Sequence, residues 1–259
     1  MSVPRRDLFW KLECLVGISI SLISCSSDGG NNSSDTNANP TVGGSETTSI
    51  ISVAEFSDEF ISNSLSNWTL RHPSEGEAAQ HTVLDMNQIN VGTLTIQPTI
   101  TSGWFAGGKA PLIYKRVTGN VSVDTFVNTR SAANPALPPG SDYNSAGLMV
   151  RTTGTSGENY GLINIGRQTA AIENSLGTET QNMTNSSSVL DLQSGCNNGR
   201  LTLCRIGADF IAYRQLDNET QWTKIRTVVR SEISETAQVG MIVNGYSGPD
   251  IMHRLTTYV

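Results

Sequence analysis

Alternation of hydrophobic and polar positions is clearest in residues 144–168, where two runs flank a turn rich in Gly, Ser and Thr. Because successive side chains of a strand point to opposite faces, each run has one apolar face. The positions on that face are Ala146, Leu148, Val150, Gly161, Ile163 and Ile165. The other face mixes Arg151, Tyr160 and Asn164 with apolar residues. The pattern predicts a central hairpin that packs on a second sheet and leaves its mixed face open to a ligand.

Short alternating runs of this kind fill the chain from about residue 53 onward, separated by clusters of turn residues. The predicted strands are 55–60, 68–71, 80–84, 93–97, 112–117, 122–129, 144–152, 158–167, 170–174, 200–206, 210–215, 223–229, 237–244 and 252–258. No run keeps a helical period over three turns, and residues 132–141 form a proline-rich surface loop. Many short strands separated by turns are typical of an all-β sandwich or barrel.

The first 25 residues predict a targeting segment, in which basic residues precede an apolar run at 15–24 that is too short to span a bilayer. Residues 22–25, Leu-Ile-Ser-Cys, resemble the lipobox of bacterial lipoproteins. The resemblance implies cleavage before Cys25 and acylation of its thiol, with chains such as palmitate. Ser26 in the next position implies the outer membrane or cell surface of a Gram-negative bacterium. Residues 5–9 also resemble a twin-arginine motif, so both that route and Sec export stay open.

Composition supports an extracytoplasmic all-β protein, since 15% of the residues are charged and Gly occurs 24 times. Residues 26–52 offer almost nothing to bury and predict a disordered tether, which leaves residues 53–259 as one sandwich domain. The formal net charge is −6 and no basic run is present. Nucleic acid is therefore not an expected partner.

An ordered set of motifs resembles the concanavalin A-like lectin and glucanase jelly rolls. Its parts are Phe56-Ser57-Asp58-Glu59-Phe60 followed by Leu65-Ser66-Asn67-Trp68, then 146–151, 200–207 with 210–213, and 239–243. The branch most similar to these motifs is the accessory domain that follows β-xylosidase catalytic modules. The resemblance implies a two-sheet antiparallel jelly-roll sandwich of the concanavalin A-like type and a carbohydrate ligand.

One departure from that family concerns the last strand, which ends Thr256-Thr257-Tyr258-Val259 and lacks the family's terminal Asp. A structural calcium is thus without support, and we expect no cofactor or metal. Of the four cysteines, Cys14 leaves with the leader and Cys25 carries lipid. We predict a disulfide between Cys196 and Cys204, which an oxidising compartment would favour; two separate thiols are the alternative.

A carbohydrate site needs aromatic rings for the CH faces of sugars and planar polar groups for the hydroxyls. Alternation predicts such a mixture on one face, together with the loop 103–109. The candidate ligand-binding residues are Trp104, Lys109, Asp124, Phe126, Arg151, Tyr160, Asn164 and Asn244. An ordinary solvated sheet face is the alternative. Trp104 is either a sugar platform or a plug in the core.

Catalysis is not favoured by the sequence. Glucanases of this fold place two carboxylates on one strand in an E-x-D-x-x-E pattern, which is absent here. Jelly-roll alginate lyases use a His at the position where this chain has Asn90. We therefore expect an anchored protein that binds glycan without cleaving it. The alternatives are a hydrolase or lyase with an atypical site near His81, Asp124 and Arg151, or a surface module that binds another protein.

Overall fold

The computed structural model describes residues 56–99, 102–153, 157–246 and 252–258, the last of these by backbone alone. The predicted leader, the predicted lipidation site Cys25 and the predicted tether 26–52 lie outside the described residues. The helices in the described part are one turn long and comprise Leu65–Asn67, α1 (Arg71–Ser74) and Glu173–Ser175. None of them is long and apolar enough to cross a bilayer.

Two seven-stranded antiparallel sheets make up the domain. The front sheet has the spatial order β1 (Thr69–Leu70), β4 (Leu112–Thr118), β13 (Thr236–Gly245), β6 (Asn144–Thr153), β7 (Glu158–Arg167), β8 (Leu176–Thr184) and β9 (Ser187–Ser194). The back sheet has the order β12 (Thr223–Val229), β11 (Asp209–Leu216), β10 (Asn198–Ile206), β5 (Val121–Arg130), β14 (Met252–Tyr258), β3 (Leu94–Pro98) and β2 (His81–Met86). The predicted all-β sandwich is confirmed, and β6 is the central strand of the front sheet.

The main hydrophobic core lies between the sheets, where alternate residues of facing strands meet. The front sheet contributes the apolar positions of its central hairpin, as predicted: Ala146, Leu148, Val150, Ile163 and Ile165. Val123 and Val127 of β5 and Leu201 and Leu203 of β10 enter the same core from the back sheet. The two-residue period thus sorted these side chains correctly.

Three predictions of local structure are wrong. Residues 56–60 and 170–174 form turns and irregular backbone instead of strands, and α1 begins within the predicted strand 68–71. Two strands, β8 and β9, were not predicted. They form a hairpin whose turn residues, Asn185 and Ser186, both have positive φ. Such a turn matches the twist of a tight hairpin.

The predicted disulfide between Cys196 and Cys204 is also wrong. Cys196 is a free thiol that donates to the carbonyl of Asn198 at 3.0 Å. Since β10 runs extended from Asn198 to Ile206, its rise of roughly 3.3 Å per residue puts Cys204 roughly 20 Å from Asn198. Cys196 lies only two residues before Asn198, which is too few to bring it back to Cys204. A disulfide requires Cα atoms within about 7 Å.

The front face, meaning the side of the front sheet that points away from the back sheet, is not open along its length. It carries a second hydrophobic cluster that includes Met149, Tyr160, Leu162, Met183 and Ile242. Leu112 and Tyr114 of β4 belong to the same cluster, and Trp104 and Ala110 join it from the loop before β4. The prediction of an open face above the central hairpin is therefore correct only at one end, where the candidate site lies.

Candidate functional site

Six charged side chains lie together near the end of the central hairpin where β6 turns into β7, and we call them the ion-pair cluster. They are three cations and three carboxylates: Arg71, Lys109, Arg151, Glu75, Glu77 and Glu158. Sheet strands supply Arg151 and Glu158, while α1 and the loops beside it supply the others. The ion-pair cluster fastens residues 71–80 and the loop before β4 onto the sheet.

Arg151 is completely buried in this cluster, and each of its side-chain nitrogens is already bound. Nε and Nη2 donate to the two carboxylate oxygens of Glu158 at 2.6 and 2.9 Å. Nη1 donates to Glu75 at 2.5 Å and to Gln238 at 2.6 Å. Arg151, predicted as a ligand-binding residue, is therefore structural and has no donor left for a ligand.

Ionisation of the cluster follows from these contacts. Burial alone would raise the pKa of Glu75, but hydrogen bonds from Arg151 and Lys109 outweigh it and lower the pKa to about 2. The pKa of Glu77 is also lowered, because hydrogen bonds from Arg71 and Lys109 outweigh the burial. Both carboxyls stay ionised at neutral pH, so neither is suited to act as a general acid.

Trp104 packs into this arrangement with 2% of its surface exposed. Its ring meets that of Tyr160 edge to face at 5.4 Å, and the guanidinium carbons of Arg71 and Arg151 lie 5.5 and 5.6 Å from its centroid. Trp104 was expected to be either a sugar platform or a core residue. It is mainly a core residue of the second hydrophobic cluster, and the small part of its surface that stays exposed lines a pocket.

That pocket opens on the front face beside Trp104 and has a volume of about 200 Å³. We call it the aromatic pocket. It is lined by Gly103, Trp104, Phe105, Tyr143, Glu179, Leu190, Asn244 and Tyr246. Tyr246 and Phe105 stand at its rim, 62% and 55% exposed. Four of its eight lining residues are aromatic, a composition that suits a flat ligand with apolar faces.

The backbone conformation of the loop before β4 positions the aromatic residues at the rim of the pocket. Residues 105–108 form a tight turn in which Ala106 and Gly107 have positive φ, and this turn projects Phe105 outward. Asn244 at the end of β13 accepts from the Trp104 amide at 2.8 Å and so fixes the base of the loop. A side chain at Gly103 would meet the Tyr246 ring at 3.2 Å, so a glycine allows that ring to pack closely.

Tyr143 completes the rim from the residue before β6. Its φ is 54°, a left-handed conformation that is uncommon for an aromatic residue and costs about 1 kcal/mol or more. Its amide donates to the Gln168 carbonyl at 2.7 Å, and its ring meets that of Tyr246 at 6.2 Å, edge to face. Backbone strain of this kind is concentrated at functional sites in proteins.

The polar floor of the aromatic pocket is Glu179 on β8, which is 5% exposed. The Gln181 amide is oriented by its neighbours, because its oxygen accepts from the hydroxyls of Tyr160 and Ser188, each at 3.0 Å. Its nitrogen then donates to the Glu179 carboxyl at 3.1 Å and to the Trp104 carbonyl at 2.8 Å. Burial raises the pKa of Glu179 to about 7, against a smaller lowering by Asn164, its cross-strand neighbour.

The predicted site residues divide into three groups. Trp104 and Asn244 line the aromatic pocket, while Tyr160 and Asn164 lie buried beside its floor. Lys109 and Arg151 belong to the ion-pair cluster. Asp124 and Phe126 lie on β5 of the back sheet.

Asp124 and Phe126 lie on β5 of the back sheet and alternate with Val123 and Val127, which enter the core. Their side chains therefore point away from the front sheet, and Asp124 pairs with Arg200 at 3.1 Å. Placing them on one surface with Arg151 was wrong, because alternation fixes the face of a strand but not the sheet to which it belongs. The alternative catalytic site that combined Asp124 with Arg151 is wrong for the same reason.

Several residues of the aromatic pocket were not predicted. Glu179 and Leu190 lie on the unpredicted hairpin β8–β9, and Tyr143 lies in the turn before β6. The signal that could have revealed the hairpin is the Asn185-Ser186 pair, which follows a run with Thr178 and Thr180 at alternate positions and precedes a run with Val189, Leu190 and Leu192.

No protein-family model matches the chain, and no curated protein matches it. Solved structures do share its fold. A xylan β-1,4-xylosidase from Bacillus halodurans C-125 superimposes with a TM-score of 0.58 at 15% identity, over 86% of this chain and 40% of the enzyme. A GH43 protein from Bacillus licheniformis gives the same TM-score and identity over 84% of this chain and 40% of its own. A functionally unknown protein from Saccharomyces cerevisiae gives 0.55 at 12% identity, over 74% of this chain and 94% of its own.

At these identities the likeness concerns the fold. The domain is a two-sheet antiparallel jelly-roll sandwich of the concanavalin A-like type. The chain spans 40% of the length of the two bacterial proteins, so their activities as whole proteins are not carried over with the fold.

Proposed function

We propose that this protein binds glycans outside the cytoplasm, that it is anchored by lipid on Cys25, and that the aromatic pocket is its binding site. The observation that carries the proposal is the pocket itself, in which Phe105, Tyr143 and Tyr246 form an aromatic rim above the polar groups of Glu179 and Asn244. Sugars stack their CH faces on such rings and pair their hydroxyls with such groups.

The size of the aromatic pocket supports a small occupant. At about 200 Å³ it is below the roughly 300–1,000 Å³ of sites for drug-sized ligands. It therefore receives one sugar unit, with the rest of a longer glycan passing over the rim. Its floor is held by a chain of hydrogen bonds from Tyr160 through Gln181 to Glu179. Such preorganisation reduces the entropy lost on binding.

The aromatic pocket has too few carboxyl groups for ordinary glycoside hydrolysis, and this favours binding over cleavage. Among the described residues that line the aromatic pocket, Glu179 is the only acid, whereas glycoside hydrolysis ordinarily uses two carboxyls flanking the bond. The nearby carboxylates of the ion-pair cluster are each bound to cations. Glu179 thus serves to hold a ligand in this proposal.

The anchor is supported by the lipobox-like residues 22–25 and by the polar composition of residues 26–52. In this proposal the acylated Cys25 holds the domain at the outer membrane through a flexible tether. Substitution Cys25→Ser is expected to release the protein from the membrane fraction and to abolish labelling with palmitate. A Cys25→Ser variant that stays in the membrane fraction would contradict the anchor.

Binding is tested with a panel of polysaccharides, beginning with xylan because two similar folds occur in GH43 and xylosidase proteins. We expect Phe105→Ala and Tyr246→Ala each to weaken the affinity about tenfold, as measured by isothermal titration calorimetry. Tyr213→Ala is the matched control, since Tyr213 lies on β11 of the back sheet. The proposal fails if no polysaccharide binds, or if both rim variants bind like the unmodified protein.

A further inference from the structure

Glu179 differs from the other buried acid among the described residues in having no positive partner. Glu158, 8% exposed, is bound by Arg151 at 2.6 Å and faces Lys109 at 3.5 Å. Glu179 is at least as buried, yet no Lys, Arg or His in the described part of the chain forms an ion pair with it, and the groups that hydrogen-bond to it, Gln181 and Asn164, are neutral amides. A buried carboxylate without a cation is costly unless something else supplies the charge.

Two cations that contact β7, the strand beside Glu179, are already committed. Arg151 is bound within the ion-pair cluster, as described above. Arg230 donates to Glu232 at 2.6 Å, to the Tyr160 carbonyl at 2.7 Å and to the Met183 carbonyl. The groups packed against Glu179 from neighbouring strands are neutral: Tyr160 and Asn164 on β7, Gln181 on its own strand and Asn244 on β13. Burial raises the pKa of the Tyr160 hydroxyl, so it stays protonated.

The walls of the aromatic pocket suit a positive charge as well. Trp104, Phe105, Tyr143 and Tyr246 surround the space in front of Glu179. The face of an aromatic ring attracts cations, and the attraction grows when the ion leaves water. A sugar carboxylate or sulfate would meet the Glu179 charge and the negative ring faces without a cation in the lining to balance it. The chemistry therefore disfavours acidic sugars and favours an ammonium.

We infer that the aromatic pocket, given that it binds glycan as proposed above, selects a sugar unit that carries a free ammonium group. The Glu179 carboxylate is the counter-charge of that ammonium. The aromatic rings enclose the CH faces of the same sugar. The ligand class is accordingly an oligosaccharide of amino sugars that are not N-acylated.

The experiment uses calorimetry at pH 7 and moderate salt, where a sugar amine is largely protonated. It compares glucosamine oligomers with their N-acetylated counterparts and with neutral xylo-oligosaccharides of equal length, and also with free lysine. We expect the free-amine oligomer to bind at least about tenfold more tightly than its N-acetylated counterpart. Glu179→Gln is expected to remove this preference. Glu173→Gln, which removes an exposed charge, is the matched control for attraction to an acidic protein and should keep the preference.

The outcomes separate this inference from the function on which it rests. If neutral oligosaccharides bind and the free-amine oligomer binds no more tightly, the inference is overturned and glycan binding stands. The same holds if Glu179→Gln keeps the preference. Lysine binding as tightly as the amino-sugar oligomer would overturn the assignment to a sugar. If no saccharide of any kind binds, the proposed function falls together with the inference.

Discussion

The guanidinium carbon of Arg151 lies 5.6 Å from the centroid of the Trp104 ring, so a fully buried cation packs against a nearly buried indole on the front face of the sheet. The contact between Arg151 and Trp104 connects the ion-pair cluster with the aromatic pocket. Arg151 is held by carboxylates of the ion-pair cluster, and Trp104 lines the aromatic pocket. One wall of the aromatic pocket, Trp104, is therefore also part of the second hydrophobic cluster.

This relationship predicts that Trp104→Ala mainly destabilises the protein. Removing the ring leaves a cavity beside Tyr160 and takes away its contacts with Arg71 and Arg151. We expect the free energy of unfolding to fall by about 3–5 kcal/mol, as measured by urea denaturation. Phe105→Ala, at a side chain that is 55% exposed, should change it by less than about 0.5 kcal/mol. Equal stability of the two variants would show that Trp104 is not packed as described.

A second prediction concerns Arg151→Met, which keeps much of the side-chain volume and removes the charge. At pH 7 it leaves Glu75 and Glu158 short of a partner, and we expect a loss of about 3–5 kcal/mol in unfolding free energy. The lowered pKa of Glu75, about 2 against an ordinary 4.5, sets the pH dependence. The stabilisation is present above pH 4.5 and is lost as the pH falls through about 2.

The difference between Arg151→Met and the unmodified protein should therefore shrink by about 1–2 kcal/mol between pH 7 and pH 2, after allowance for the partial exposure of Glu75. Urea denaturation at several pH values measures it. Arg116→Met, an exposed position on β4, is the control and should cost less than about 0.5 kcal/mol throughout. A penalty that does not depend on pH would mean that Arg151 acts through packing alone.

Sequence periodicity predicted the parts of this fold in which the two faces of a strand differ in polarity. The hairpin β6–β7 has Leu148 and Ile163 on one face and Arg151 and Tyr160 on the other, so its orientation could be read directly. In β8 the residues on both faces are small or polar, from Gly177 to Asn182, although nearly all of them are buried. Without a contrast between faces, the strand that carries Glu179 gave no periodic signal.

The site itself depends on contacts between distant parts of the chain. Arg151 meets Glu75, which is 76 residues earlier, and the Trp104 amide meets Asn244, 140 residues later. No local pattern reports such pairings. An arginine on a mixed strand face therefore looked like a ligand-binding residue, when its partners are carboxylates from a covering loop. The aromatic rim could not be predicted either, because Phe105, Tyr143 and Tyr246 are far apart in the sequence and meet only in the folded domain.

A third prediction follows from the burial of Glu179. Its pKa of about 7 in the folded protein exceeds the ordinary value of 4.5, so the folded state favours the protonated carboxyl. The associated stability is fully present below pH 4.5 and is lost as the pH rises through 7, a loss of about 3 kcal/mol. Because glutamine cannot ionise, Glu179→Gln is expected to raise the unfolding free energy by up to that amount at pH 8.5 in the absence of ligand, with little change at pH 4.

Urea denaturation at the two pH values measures this effect, with Glu173→Gln as the control because that exposed carboxyl should give no comparable dependence. An equal change at both pH values would contradict the buried, unpaired state of Glu179. The free-amine oligomer provides a further check on the same group. Its amine is largely neutral at pH 8.5, so the comparison is made at pH 7, where the oligomer carries positive charge: it should stabilise the unmodified protein more at pH 7 than at pH 4, and this difference should be absent in Glu179→Gln.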